Sequence, residues 1–251
     1  MNHKRKTKLK IALMGVQAAG KGTQAHILSV TQNLPVISTG NLLREIAQED
    51  STHGRTVKTF IDKGEFPPDE IVLEALKGWI AAHPDGWIID GFPRTVEQAE
   101  TALFFRPDLV LSLEMSDEDA KRRISYRRIC VKCKTNYNVI TQPPRNSKGV
   151  CDVCGGELIR RPDDVPELVA TRLAQYRLMT EPLKAWYRKQ GKLIEIDARP
   201  GMKEVAHEID LRLREIRHQR RRFGRLLIWI GLGLLVIILA AALLIYTGSN
   251  I

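Results

Sequence analysis

Five short runs of apolar residues recur along the chain, and helix-like stretches separate them. The runs are Lys10–Met14, Pro35–Ser38, Trp87–Asp90, Asp108–Glu114 and Lys192–Asp197. Their nearly continuous apolar character is typical of strands buried on both faces, and strands that alternate with helices favour a parallel sheet. The pattern therefore predicts an α/β fold in which helices cover both faces of a five-stranded parallel sheet.

A glycine-containing loop, GVQAAGKGT, connects the first apolar run to a helix-like stretch. Its first glycine, Gly20 and Lys21 have the spacing of a phosphate-binding loop. Backbone N–H groups and the helix N-terminus would hold the phosphates of a nucleoside triphosphate, and Lys21 would reach the transferable end. Gly22 stands where many such loops carry a serine or threonine on magnesium, so the metal would be held mainly by nucleotide, water and acids such as Asp90.

The third apolar run is followed by polar groups in the sequence DGFPRTVEQ. Asp90 and Gly91 end the run at the predicted carboxyl edge of the sheet, where such folds bind ligands. Arg94 and Gln98 are four residues apart and would share one face of the next helix. A guanidinium suits bidentate binding of phosphate, and a carboxamide can both donate to and accept from a base. These residues predict a nucleotide site.

The motifs, in their order along about Ile11 to Pro200, resemble those of the adenylate kinase family. The resemblance implies the P-loop nucleoside monophosphate kinase fold, with an AMP-binding insertion at 39–68 and a lid at 127–164, and the reaction ATP + AMP ⇌ 2 ADP. The segments STGNLLR and GEFPPDE look like the two AMP segments. By this resemblance the AMP contacts are Thr39, Arg44, Glu65, Phe66, Pro67, Gly91, Arg94, Gln98, Arg161 and Arg172.

The same resemblance assigns the ATP site and the catalytic groups. The ATP contacts are Ala18, Ala19, Gly20, Lys21, Gly22, Thr23, Arg127 and Arg199, with Mg²⁺ bound through water to Asp90. Phosphoryl transfer depends mostly on positioning and charge neutralisation, so it requires no general base and arginine is the important residue type. The implied catalytic residues are Lys21, Arg94, Arg123, Arg127, Arg161 and Arg172. Asp163 and Asp164 fall where the family places acids beside the closing lid, whereas Arg122, Arg128 and Arg160 are interpreted as surface residues.

The four cysteines form two CxxC pairs, Cys130 with Cys133 and Cys151 with Cys154, and seventeen residues separate the pairs. Two such pairs at this separation are typical of one tetrahedral zinc site. Disulfides are the alternative, but a cytosolic ATP-dependent enzyme meets a reducing environment. Because four thiolates leave no coordination position open for water, the predicted zinc is structural. Adenylate kinases with a long lid resemble this arrangement.

The net charge of +10 is concentrated towards the two ends of the chain. Five lysines and arginines lie within residues 4–10, and seven arginines lie within Arg212–Arg225, which leaves the body between them nearly neutral. A zinc-ribbon module that binds nucleic acid is therefore the weaker hypothesis, and it leaves the phosphate loop unexplained. A membrane scaffold with an inactive kinase fold is the other alternative.

The carboxyl-terminal segment Leu226–Tyr246 contains no charged residue. As a helix its twenty-one residues would measure about 31 Å, close to the thickness of a hydrocarbon core. The segment predicts a transmembrane helix, and the basic stretch 218–225 before it would lie on the cytoplasmic side. The predicted organisation is a basic tail (1–9), a catalytic domain (10–217), the basic stretch, the span and a short tail (247–251). No signal peptide is apparent at the amino end.

The combined interpretation is an adenylate kinase with a zinc-binding lid, anchored to a membrane by one carboxyl-terminal span, with its catalytic domain in the cytoplasm. The expected partners are ATP, AMP, ADP and the membrane, without nucleic acid, and the catalytic domain is expected to be monomeric. Structural Zn²⁺ and Mg²⁺ bound with ATP are the expected cofactors. The alternative is a nucleoside monophosphate kinase with a different donor or acceptor base, such as a GTP:AMP phosphotransferase.

Overall fold

A computed structural model describes residues 8–102 and 104–219. Its strands are β1 (Lys10–Gly15), β2 (Val36–Ser38), β3 (Trp87–Asp90), β4 (Leu109–Glu114), β5 (Arg127–Cys130), β6 (Asn136–Asn138), β7 (Leu158–Ile159) and β8 (Leu193–Asp197). Its helices are α1 (Lys21–Gln32), α2 (Thr39–Ile46), α3 (Thr52–Lys63), α4 (Asp69–Ala82), α5 (Val96–Thr101), α6 (Asp117–Ser125), α7 (Pro166–Gln175) and α8 (Glu181–Lys189). A π-helical turn, Tyr176–Thr180, joins α7 to α8, and residues 202–219 form a ninth helix, α9.

The main sheet has the order β2-β3-β1-β4-β8, and its neighbouring strands are all parallel. Each of the five predicted runs coincides with one of these strands to within one residue at either end, so the prediction of a five-stranded parallel sheet is confirmed. β1 lies between β3 and β4. The chain runs from β1 to β2 on one side of the sheet, and later from β3 to β4 on the other side, so the direction of the connections reverses at β1. Such a switch point opens a crevice outside the carboxyl ends of the strands.

The middle strands form the centre of the core. Ile11 in β1, Ile88 in β3 and Leu111 in β4 are fully buried, as expected for strands covered on both faces. On one face the core includes Leu76 from α4 and Leu183 from α8. The apolar runs are thus continuous because helices pack on both sides of them.

A smaller antiparallel sheet, in the order β6-β5-β7, lies within the segment predicted as the lid. Pro166 lies in the first turn of α7, which continues through the π-helical turn into α8. The described residues up to Ala206 form one compact unit, which contains both sheets, and a second unit begins at His207.

The predicted membrane localisation, with a single carboxyl-terminal span, is corrected by the structure. Within residues 8–102 and 104–219, no helix is long and apolar enough to cross a membrane. The last of these helices, α9, is charged along its length and forms ion pairs such as Arg212–Glu208, four residues apart. Charged side chains are costly in hydrocarbon. The segment behind the prediction, Leu226–Tyr246, lies outside the described residues, as does most of the basic stretch 218–225.

Candidate active site

The loop between β1 and α1 depends on two glycines. Gly15 has a φ of 139°, and a Cβ added there would lie 2.6 Å from the carbonyl oxygen of Leu113. Gly20, with a φ of 91°, immediately precedes α1. Ala18 also has a positive φ, 63°, a conformation that costs a residue other than glycine about 1–2 kcal/mol. A loop with this backbone, placed before a helix N-terminus, is suited to bind phosphate oxygens.

Lys21, the first residue of α1, turns back over this loop. Its Nζ donates to the carbonyl oxygens of Gly15 and Val16, at 2.8 and 2.9 Å. Burial lowers the pKa of Lys21, the Asp90 carboxylate raises it in part, and the neighbouring guanidiniums lower it. An ammonium group has three donors, so one remains for an anionic ligand.

Asp90, the last residue of β3, lies beside the start of α1. Its Oδ2 accepts a weak hydrogen bond from Ser38 Oγ at 3.4 Å, and a Cβ added at Gly22 would lie 3.7 Å from the same oxygen. Its Oδ1 is buried without a hydrogen-bond partner. A buried carboxylate oxygen normally has a partner, and hydrated Mg²⁺ is one that suits it. This orphaned oxygen fits the predicted magnesium site.

Two buried arginines face the same region. Burial lowers the pKa of Arg94 to about 10, although Asp90 opposes the shift. Burial also lowers the pKa of Arg161 to about 9, with the charges of Arg44 and Arg127 adding to the effect. Crowding of buried cations destabilises their charged forms, so an anionic ligand would relieve the repulsion. Perturbed groups in a cleft are candidates for a functional site.

Three further arginines, Arg44, Arg127 and Arg172, are paired with two consecutive acids at the end of the segment predicted as the lid. Asp163 Oδ2 lies 2.8 Å from Arg172 Nη1 and 3.3 Å from Arg44 Nη2. Burial alone would raise the pKa of Asp163, but Arg44 and Arg172 outweigh it and lower the pKa to about 2. Asp164 is fully buried, and Arg127 binds it through both Nε, at 2.8 Å, and Nη2.

Gln17 is a residue that the sequence did not assign to the site. Its carboxamide lies between Arg127 and Arg172 and, with its oxygen facing them, accepts from both, at 3.2 and 3.1 Å. In the sequence, the position of Gln17 inside the phosphate loop was the indication that it could belong to the site. The loop is therefore linked directly to the arginines of the lid and of α7.

One cavity of about 770 Å³ brings most of the predicted residues together. The predicted site residues that line it are Ala18, Ala19, Gly20, Lys21, Gly22, Thr23, Arg44, Glu65, Phe66, Pro67, Asp90, Gly91, Arg94, Arg123, Arg127, Arg161, Arg172 and Arg199. Arg123 and Arg199 are held together, because Arg123 Nη2 donates to the Arg199 carbonyl oxygen at 3.0 Å.

Thr39 and Gln98 line a smaller neighbouring pocket of about 10 Å³, together with Phe66 and Pro67. Thr39 Oγ1 donates to the carbonyl oxygen of Asp90 at 2.5 Å. The guanidinium carbon of Arg94 lies 4.3 Å from the centre of the Phe66 ring, within the range of a cation–π contact.

The four cysteines meet at one end of the small antiparallel sheet. Their Sγ atoms all lie within 4.8 Å of one another, with 3.4 Å between Cys130 and Cys154 and 3.5 Å between Cys133 and Cys151. All four are free thiols that converge on one point, an arrangement that favours a metal site over the disulfide alternative. Four thiolates at about 2.3 Å from zinc would be about 3.8 Å apart, so the cluster fits a tetrahedral zinc site.

Similarity to known proteins agrees with this geometry. The fold and the cavity are those of a P-loop phosphotransferase with a four-cysteine cluster beside its small antiparallel sheet. The adenylate kinase family model matches residues 13–192. The chain is 42% identical to an adenylate kinase of Caldicellulosiruptor bescii (79% of this chain, 94% of the relative). It is 39% identical to those of Acetivibrio thermocellus (80% and 96%) and Archaeoglobus fulgidus (83% and 100%).

The chain therefore belongs to the adenylate kinase family. It is an enzyme, an ATP:AMP phosphotransferase, as its sequence predicted.

Proposed function

We propose that ATP and AMP bind in the 770 Å³ cavity from opposite sides and that its arginines carry the negative charge of the transferred phosphoryl group. The observation that carries the proposal is the convergence of the phosphate loop with two buried arginines of lowered pKa. Crowded cations of this kind repel one another, and two nucleotides with their phosphates facing each other would supply further negative charge.

ATP occupies the side formed by the loop before α1. The loop residues from Ala18 to Thr23 surround its phosphates with backbone N–H groups, and Lys21 contacts the transferable end. Arg123 and Arg199 line the cavity, as do Asn138 and Thr141. Arg199 then serves the nucleoside of ATP.

AMP occupies the side formed by α2, the segment before α4, and the start of α5. Thr39, Phe66, Pro67 and Gln98 surround the base. They line the smaller pocket, which at about 10 Å³ would have to widen to hold a purine. Arg44 and Arg94 bind the monophosphate. Gly91 leaves the space between Thr39 and Arg94 free, because a Cβ there would lie 3.1 Å from Thr39 Oγ1 and 3.5 Å from Arg94 Nη2.

The acids of the lid act as substitutes for phosphate. Asp163 shares its single negative charge between Arg44 and Arg172, and Asp164 neutralises Arg127. When the nucleotides enter, these arginines exchange part of their carboxylate contacts for phosphate oxygens. Arg161, whose Nε is buried without a hydrogen-bond partner, is ready to bind phosphate directly.

Transfer itself needs alignment and charge neutralisation. Lys21, Arg94, Arg123, Arg127, Arg161 and Arg172 would surround the transferred group, and no side chain has to remove a proton from the attacking phosphate of AMP. Mg²⁺, held by Asp90 through water, would neutralise charge between the phosphates of ATP. Structural Zn²⁺ on the four cysteines would hold the two knuckles of the lid together.

The test of this site compares alanine variants of Lys21, Arg94 and Arg161 with an Arg122→Ala control. Arg122 is an exposed arginine that pairs with Asp119 one turn away. Each site variant should fold normally and lose at least about 10²-fold in kcat/KM, the scale of a lost preorganised electrostatic contact. The control should stay within twofold of the unaltered enzyme.

The measurement is a coupled assay with ATP or GTP as donor and AMP, CMP, UMP or GMP as acceptor. ATP and AMP should give the highest kcat/KM. A preference for GTP would support the alternative donor, and a site variant with normal turnover would remove that residue from the proposed mechanism.

A further inference from the structure

The carboxamide of Gln98 is held at both ends. Its Nε2 donates to Asp69 Oδ1 at 2.5 Å, and its Oε1 accepts from the backbone N–H of Arg94 at 2.7 Å. The Gln98 side chain is only 3% exposed, so water does not compete strongly for either contact. Asp69 is the first residue of α4, and Gln98 lies in α5.

The two partners permit one orientation of the amide. An ionised carboxylate only accepts hydrogen bonds, and a backbone N–H only donates one. Turning the amide by 180° would place Oε1 against Asp69 and Nε2 against the N–H of Arg94. Both hydrogen bonds would be lost, and two pairs of like partial charges would face each other in a buried place.

This orientation matters because Gln98 keeps one N–H and one lone pair for a ligand. A 6-aminopurine donates from its amino group and accepts at N1. A 6-oxopurine does the reverse, since it accepts at O6 and donates from N1. An amide fixed in one orientation can match only one of these two edges when the purine keeps the same position.

We propose that Asp69 is a positioning residue that fixes the Gln98 amide and so selects 6-aminopurine over 6-oxopurine nucleotides at the acceptor site. The inference rests on the proposed function, in which the base of AMP lies beside Gln98. Asp69 does not touch the substrate; it acts through the orientation of the side chain that does.

The test is Asp69→Asn, because asparagine has nearly the same shape but can donate as well as accept. Once the side chain at position 69 can donate, the Oε1 of the turned Gln98 amide regains a hydrogen-bond partner. The matched control is Glu70→Gln, which removes the other acid from the first turn of the same helix and leaves Gln98 untouched. Both variants lose one negative charge at the N-terminus of α4, so any effect of the helix dipole is shared.

The measurement is kcat/KM for AMP and for inosine monophosphate, with saturating ATP, on the full-length enzyme. In Asp69→Asn the ratio of kcat/KM for AMP to kcat/KM for inosine monophosphate should fall at least about tenfold, which is the scale of a lost hydrogen bond to a charged group. The fall should come from a higher KM for AMP and a lower KM for inosine monophosphate. The maximal rate with AMP should change less than threefold. In Glu70→Gln the ratio should stay within twofold.

An active Asp69→Asn enzyme with an unchanged ratio of the two kcat/KM values would overturn the proposal. An equal fall in both values would overturn it too, because it is the result expected of a merely structural residue. If Asp69→Asn does not fold, Asp69→Ser gives the same comparison with a group that can also donate. Failure of the unaltered enzyme to phosphorylate AMP would instead refute the proposed function itself.

Discussion

The strongest prediction for stability concerns the buried ion pair between Asp164 and Arg127. The side chain of Asp164 is fully buried and that of Arg127 is 12% exposed. Asp164→Ala leaves this largely buried guanidinium without its main counter-charge. We therefore expect this substitution to be among the most destabilising in the lid.

The magnitude follows from the burial of the pair. Removing one partner of a buried ion pair costs about 3–5 kcal/mol, because the other charge stays buried and uncompensated. The matched control is Asp50→Ala, which removes the same group from a pair with Arg55 whose side chains are 100% and 67% exposed. An exposed pair contributes less than about 1 kcal/mol.

The assay is thermal unfolding of full-length protein at constant zinc and salt. For a chain of this size each kcal/mol shifts Tm by about 2–4 °C, so Asp164→Ala should lower Tm by about 6–20 °C and the control by less than about 4 °C. The double variant Arg127→Leu/Asp164→Leu should melt above Asp164→Ala, because it leaves no unpaired charge. If Asp164→Ala melts within 1 °C of the control, the reasoning from burial is wrong.

Three further predictions concern the metal, pH and the loop. One zinc per chain should co-purify, and Cys151→Ser should lower both the zinc content and Tm. Val153→Ser, an exposed change within the same knuckle, should alter neither. Elemental analysis measures the zinc content, and calorimetry measures Tm. The pKa of Asp163 is lowered to about 2, so its contribution to stability is complete above about pH 4 and is lost as pH falls through 2. Asp163→Asn should therefore flatten the dependence of unfolding free energy on pH between 4 and 2, and an unchanged slope would contradict this. Gly15→Ala should abolish ATP binding, measured by calorimetry, because its Cβ has no room, and normal affinity would show that the loop tolerates the change.

Much of the fold could be predicted from local pattern. A strand covered on both faces must be apolar at successive positions, and this signal is present in a short stretch such as Trp87–Asp90, which begins and ends where the sequence predicted. The CxxC spacing likewise predicted a cluster of four thiols, because two short knuckles constrain where the sulfur atoms can lie. The carboxyl-terminal apolar segment illustrates the limit of such patterns, since the location inferred from it had to be corrected.

The site itself could be predicted in part. The motifs named the loop and most of the arginines that line the cavity, although the role of each residue stays a prediction. Which acid pairs with which arginine was beyond the sequence. Asp163 lies between Arg44 and Arg172, residues from two different helices, and nothing in the local pattern indicates that choice.

The sequence by itself determined where strands, knuckles and the phosphate loop occur, because these depend on the character and spacing of residues close together in the chain. Only the tertiary structure decided that Asp69 meets Gln98 and that Gln17 meets Arg127. Such contacts depend on how distant segments are brought together when the sheet and the lid pack. A local stretch of sequence carries the propensity of its own backbone, but the direction of a buried amide is set by partners that only the folded chain supplies.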